Sequence, residues 1–297
     1  MSINHLGLFK FIKPVTSCLA YENFTTITHD ALSFGEAEDL AFWGDVIIAD
    51  FAVSQDGSKL LILADGFGGL FPDQYLVSYD LITPFDVSSA TNRQSKNIYL
   101  DINSEEAYKF WVSLDGMNAY IETATFTAIY AFTFTNAWDI STATLNHSET
   151  VLNMIGVAQR FMMIAINSTG SGGIFYYGLG SSGRAGDFTL STPYDLRTWT
   201  TTATHQLSIP VSSSSHICDI NYTIYWDSIN LNIFKTENST SFIPLQSTTT
   251  IAHNAYTTVF LNNRLRLAYI VGDKIFSIGQ DARFTPRNLR IESFTLS

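Results

Sequence analysis

The chain has 297 residues, of which 46% are hydrophobic, 14% aromatic and only 14% charged, and its net charge is −11. That length and hydrophobic content can bury a large core and exclude a disordered chain, while no apolar run approaches the ~20 residues of a membrane-spanning helix. The 16 Lys and Arg stand against 27 Asp and Glu and form no cluster, which argues against a nucleic-acid-binding face.

At the N-terminus Lys10 and Lys13 interrupt the apolar stretch a secretory signal needs, so export by that route is not expected. Residues 1–45 hold two strand-like runs, Leu6–Phe11 and Phe24–Thr28. Further runs follow at 59–63, 75–79, 119–123, 129–134, 161–165, 174–177, 224–226 and 265–270. These runs are short, β-branched or aromatic, and bounded by Gly, Asn, Asp, Ser and Pro. Helical periodicity is almost absent. The chain therefore reads as all-β, and repeats decide which kind.

Two repeats are present. The first is a turn, Ser54-Gln55-Asp56-Gly57, seen again as Ser113-Leu114-Asp115-Gly116. Asp-Gly suits a tight hairpin, since Gly takes positive φ without steric cost and Asp bonds to nearby backbone. Weaker versions lie at Asn167–Gly170, Asp227–Asn230 and Asn262–Arg264. The second repeat closes each unit: Thr83-Pro84-Phe85-Asp86, Asn136-Ala137-Trp138-Asp139 and Thr192-Pro193-Tyr194-Asp195, with degenerate copies around Pro244 and Pro286. Pro sets a bend that cannot continue a ladder, and the aromatic is expected to anchor it. Anchors at Pro84, Ala137, Pro193, Pro244 and Pro286 are spaced by 53, 56, 51 and 42 residues. That period predicts four-stranded units arranged as a β-propeller. Counting one more unit in residues 1–45 gives about six blades, with five or seven as alternatives, in one domain over 1–297. The C-terminal run 289–296 is expected to complete the first blade.

Over residues 46–200 these motifs resemble a family of repeat proteins encoded largely by tailed bacteriophages. That family carries a Ser-x-Asp-Gly turn and a Leu-Ser-Thr-Pro-aromatic-Asp-aliphatic closing segment, matched here by Leu190–Leu196 and Trp138–Thr144. The resemblance implies a propeller in a virion part such as a tail fibre, baseplate or capsid decoration. Multiple copies would face other virion proteins or a host-surface glycan or protein. Beyond residue 200 the Asp-Gly turn and most of the closing segment are lost.

Candidate chemistry is sparse. The turns are one residue shorter than the Asp-box of sialidases, and the arginines show no arrangement for holding a substrate carboxylate. Glu36, Glu38 and Asp39, and Glu105 with Glu106, sit in polar sequence and read as solvated surface rather than a glycosidase pair. His5, His29, His147, His205, His216 and His253 are dispersed without metal-ligand spacing. Cys18 and Cys218 lie 200 residues apart and read as free buried thiols rather than a disulfide. The Gly-rich run Thr169–Gly173 reads as a hairpin, not a phosphate cradle, because a strand follows it. Trp43, Tyr176, Tyr177, Trp199 and Trp226 are candidates for stacking on sugars, against core packing between blades. Asp56, Gly57, Asp115, Gly116, Pro84, Asp86, Trp138, Asp139, Pro193, Tyr194 and Asp195 are read as structural turn residues.

The expectation is a non-enzymatic virion component without cofactor or metal, made in the host cytoplasm, that offers a rigid propeller as a binding platform. A glycan-binding or glycan-hydrolysing propeller is the alternative.

Overall fold

Strands β2 (Asp45–Val53), β3 (Lys59–Phe67), β4 (Asp73–Leu81) and β5 (Ala90–Asn97) pair in chain order into an antiparallel sheet. This is seen in a computed structural model that describes residues 27–34, 45–67, 73–86, 89–123, 128–157, 161–178, 183–206, 216–218, 222–226, 231–238, 241–248, 266–271, 274–281 and 288–296. A second sheet holds β6 (Ala107–Val112), β7 (Asn118–Thr123), β8 (Ala128–Thr133) and β9 (Thr144–Thr150). The third holds β10 (Phe161–Ile166), β11 (Gly172–Tyr177), β12 (Arg184–Leu190) and β13 (Trp199–Gln206). The fourth holds β14 (His216–Cys218), β15 (Tyr222–Trp226), β16 (Leu231–Asn238) and β17 (Ser241–Thr248).

The fifth sheet joins the two ends of the chain. β18 (Arg266–Val271), β19 (Lys274–Asp281) and β20 (Asn288–Leu296) are completed by β1 (Ile27–Phe34), which pairs antiparallel with β20 from Ile27–Leu296 to Phe34–Arg290. The first strands β2, β6, β10, β14 and β18 neighbour one another in a closed cycle. The protein is an all-β propeller, in which the ring gathers the inner edge strands around the centre and leaves each sheet its outer strand as the exposed edge.

The described residues form five four-stranded sheets, the lower alternative to the expected six. The sixth unit was counted from residues 1–45, but Ile27–Phe34 is instead the outer strand of the last sheet. The C-terminal strand does pair with the N-terminal region, but in reverse of the expectation: Ile27–Phe34 completes the last sheet, and the C-terminal strand does not complete a first blade. Leu6–Phe11, the turns at 227–230 and 262–264, the segment around Pro286, and Cys18 lie outside the described residues. Pro244 departs from its expected place. It lies within the outer strand β17, opposite Phe234 and beside a register shift, an edge position that tolerates a missing N–H.

Burial explains the sequence pattern. The middle strands β7 and β11 are buried at nearly every position because neighbouring sheets cover both faces. The outer strand β13 alternates between half-buried and exposed throughout, since one face meets water. One apolar cluster joins the first and second sheets through Leu61, Leu63, Leu76, Phe110, Ile121, Phe132 and Trp138. Another joins the second and third through Tyr120, Ile129, Ile166, Phe175, Phe188 and Leu190.

Candidate interaction face

In a four-stranded meander the first–second and third–fourth connections leave the same end of the sheet. Both sequence repeats therefore lie at one face, and there they bind each other. Gly57, Gly116 and Gly170 end the first hairpin of their sheets with φ of 72°, 70° and 71°. Over each lies the aromatic of the closing segment: Phe85, Trp138 or Tyr194. A Cβ added to Gly57 would stand 2.6 Å from the Phe85 ring, one on Gly116 2.1 Å from Trp138, and one on Gly170 2.5 Å from Tyr194. The glycine satisfies two demands at once, positive φ and the absence of a side chain.

Backbone bonds lock the same contact. The amides of Phe85, Trp138 and Tyr194 donate to the carbonyls of Gly57, Gly116 and Gly170 at 3.0, 2.9 and 2.9 Å. The aromatics themselves hold φ of 66°, 63° and 61°, a left-handed conformation that costs a non-glycine residue roughly 1–2 kcal/mol. Ring packing over the glycine and the amide bond offset that cost in all three sheets.

Hydroxyls and carboxylates complete the clamp. Ser54 Oγ donates to Asp56 and accepts from the Lys59 amide at 2.9 Å; Ser113 does the same with Asp115 and Asn118. In the third sheet Asn167 Oδ1 takes over, accepting from the Ser171 amide and the Thr169 hydroxyl. Asp139 and Asp195 cap short 3-10 turns, Ile140–Thr142 and Leu196–Thr198, by accepting from the amides of Ser141 and Arg197. The Asp86 carbonyl accepts from Ser89, in the place where Asp139 and Asp195 accept from Thr142 and Thr198. Those three hydroxyls in turn accept from the amides of Thr83, Asn136 and Thr192, and the sequence reading did not single them out. Their signal was their fixed place three residues after each Asp.

Bonds from Ser141 hold the Asp139 carboxyl below the usual carboxylate range, and the Arg197 guanidinium does the same for Asp195. A depressed carboxyl contributes stability above its unfolded pKa and loses it as pH falls through the folded value, here below about pH 4. Asp139→Ala is accordingly expected to cost about 1 kcal/mol at pH 7, as for other lost caps. Urea unfolding at pH 7 and pH 3 checks this, the difference from the parent protein shrinking at the lower pH.

The clamp presents three equivalent exposed tripeptides: Ile82-Thr83-Pro84, Thr135-Asn136-Ala137 and Ser191-Thr192-Pro193. Pro84 and Pro193 thus lie at the surface, while Trp138 is buried and Phe85 and Tyr194 are half-buried.

Other sequence candidates are scattered. Glu105 accepts from the Thr123 hydroxyl and Glu106 is exposed. Tyr176 and Tyr177 are buried, and Trp199 stacks on Phe188 with centroids 3.6 Å apart, so these aromatics pack the core and are not free to stack on sugars. Thr169–Gly173 turns into strand β11, as a hairpin does. Among the described residues no group of three or more His, Cys, Asp or Glu is placed to hold a metal ion, and no helix is long and apolar enough to cross a membrane.

A second feature went unseen in the sequence. Asp50 on β2, Lys109 on β6 and Glu122 on β7 are all buried. Lys109 Nζ lies 3.9 Å from Asp50, whose carboxylate also accepts from the Phe110 amide at 3.1 Å, and Lys109 pairs in register with Glu122. The signal was a charged residue within each of three strands, at a position the strand buries.

No family model and no curated protein matches the chain. Solved structures do. The periplasmic gluconolactonase of Pseudomonas aeruginosa is 11% identical over 69% of this chain and 55% of its own, with a TM-score of 0.38. A luciferin-regenerating enzyme is 7% identical over 91% of this chain and 95% of its own, with a TM-score of 0.40. The β-propeller domain of Myceliophteria thermophila Cps50 is 10% identical over 84% of each chain, with a TM-score of 0.39. The chain spans little more than half the length of the gluconolactonase, and these likenesses concern the fold alone. They correct one expectation. Enzymes are among the similar propellers, so the absence of a recognised motif here is no ground for a non-enzymatic assignment.

Proposed function

We propose that the protein is a binding scaffold whose closing segments meet a neighbouring protein, and that it serves as a component of a tailed-phage particle. The observation that carries the reading is the threefold recurrence of an exposed tripeptide fixed by a glycine–aromatic clamp. A turn already ordered loses little conformational freedom on binding, and repeated equivalent contacts add avidity. The phage assignment rests on the Ser-x-Asp-Gly and Thr-Pro-aromatic-Asp resemblance.

The test is made on purified particles. Mass spectrometry should find the chain, and electron cryomicroscopy should place propeller density in symmetric copies with the closing segments at the contact. Ala137→Lys, at an exposed position, should leave the circular-dichroism spectrum unchanged and lower incorporation about tenfold, a loss of the order of one disrupted contact repeated by symmetry. Particles without the chain would overturn the virion assignment. Unchanged incorporation of Ala137→Lys would remove this face from the contact.

A further inference from the structure

The seam between the second and third sheets is built differently from that between the first and second. Between the first two, Lys96 on β5 donates to the Ala143 carbonyl. Between the next two, the corresponding outer strand β9 presents His147, buried, with Nε2 3.5 Å from Asp195 Oδ1. Among the described residues neither ring nitrogen of His147 has a hydrogen-bond partner, and both are buried. Asp195 is committed elsewhere: it accepts from the Arg197 amide at 3.0 Å and from Nε and Nη2 of the guanidinium at 2.8 Å each. The same carboxylate caps the 3-10 turn that follows Tyr194, whose carbonyl accepts from the Tyr120 hydroxyl of the second sheet at 2.7 Å.

We propose that His147 is an acid trigger in this seam, its protonation loosening the junction of β9 with the Tyr194–Trp199 segment. A proton on the imidazole places a charge in a dry interface and gives Asp195 a second cation to serve. The carboxylate cannot keep both forks of Arg197 and turn an oxygen fully to His147, so the cap of the 3-10 turn is strained. The groups facing His147 are Glu149 on its own strand, and Asp195 and Arg197 on the third sheet. Of β8 and the helix Val151–Ile155, which also pack on β9, only Tyr130 titrates, and burial moves it further up, away from this range. The two carboxylates favour the charged imidazole and Arg197 opposes it, but burial outweighs them and moves His147 below the ordinary histidine value. An imidazole depressed by folding leaves the unfolded chain to bind the proton first. Stability is therefore full above about pH 6.5 and falls as pH drops below it. This window lies well above that of Asp139 and Asp195.

Hydrogen exchange on the full chain at pH 7.5, 6.0 and 5.0, corrected for intrinsic rates, tests the proposal. Protection of peptides covering 144–150 and 194–199 should fall across that range beyond the intrinsic-rate correction. Peptides covering 90–97 and 139–143, from the other seam, should hold. His147→Gln, which stays neutral, should abolish the selective loss. Should that variant fold poorly, the NMR titration of His147 in the unaltered protein decides, with a midpoint below the free-histidine value expected. Retention of the acid response in His147→Gln, or a His147 midpoint at or above the free value, overturns the proposal.

Discussion

Gly116→Ala is expected to destabilise the protein by about 3 kcal/mol, among the largest effects available to a single added methyl group. Two terms add. Alanine at φ 70° pays roughly 1 kcal/mol for the left-handed backbone. Its Cβ would also stand 2.1 Å from the Trp138 indole, which is buried and held by its own amide bond to Gly116. Forcing such a contact costs about 1–3 kcal/mol in a packed site. Gly156 supplies the control. It ends the helix Val151–Ile155 at φ 73° but, among the described residues, has nothing within 4 Å of its Cβ position, so Gly156→Ala should show the backbone cost alone. Urea midpoints of the two variants measure the difference. Equal losses would mean that the ring over Gly116 yields freely, and the clamp would lose its claim to rigidity.

The second large effect is expected at Lys109. Its ammonium lies 3.9 Å from Asp50 across the sheet junction, its backbone pairs with Glu122 in the strand ladder, and all three residues are buried. Lys109→Met keeps the volume but leaves the Asp50 carboxylate without this cation in an apolar setting. Breaking a buried pair in this way costs about 3–5 kcal/mol. Removing the Asp50 charge as well, in Lys109→Met/Asp50→Asn, should recover part of the loss, because Asn keeps one of the two amide bonds, from Phe51 or Phe110, that the carboxylate accepts. Denaturant midpoints of the single and double variants decide. A double variant no better than Lys109→Met would show that the carboxylate of Asp50 is not what the lysine neutralises.

Much of the clamp was legible in the chain itself. Asp-Gly at 56–57 and 115–116, and Pro or Ala followed by aromatic-Asp, mark turns because only certain residues tolerate those backbone angles, and that chemistry is local. The period followed from the same markers. What the sequence did not reveal is that the two repeats are halves of one contact, with Phe85, Trp138 and Tyr194 lying over the glycines. The left-handed φ of those aromatics could not be read either, since nothing local favours it. The charged residues Asp50, Lys109 and Glu122 were passed over because each sits alone, and only strand pairing assembles them.

Composition, turn chemistry and period thus determined an all-β propeller with repeated hairpins and closing bends, each set by interactions within a few residues. The tertiary structure decided the rest. It placed Ile27–Phe34 as the last sheet's outer strand, set five sheets in a closed cycle among the described residues, and put His147 against Asp195. Those outcomes depend on which distant segments share an interface. Ring closure settles that through the packing of whole sheets, and no short run of residues encodes it.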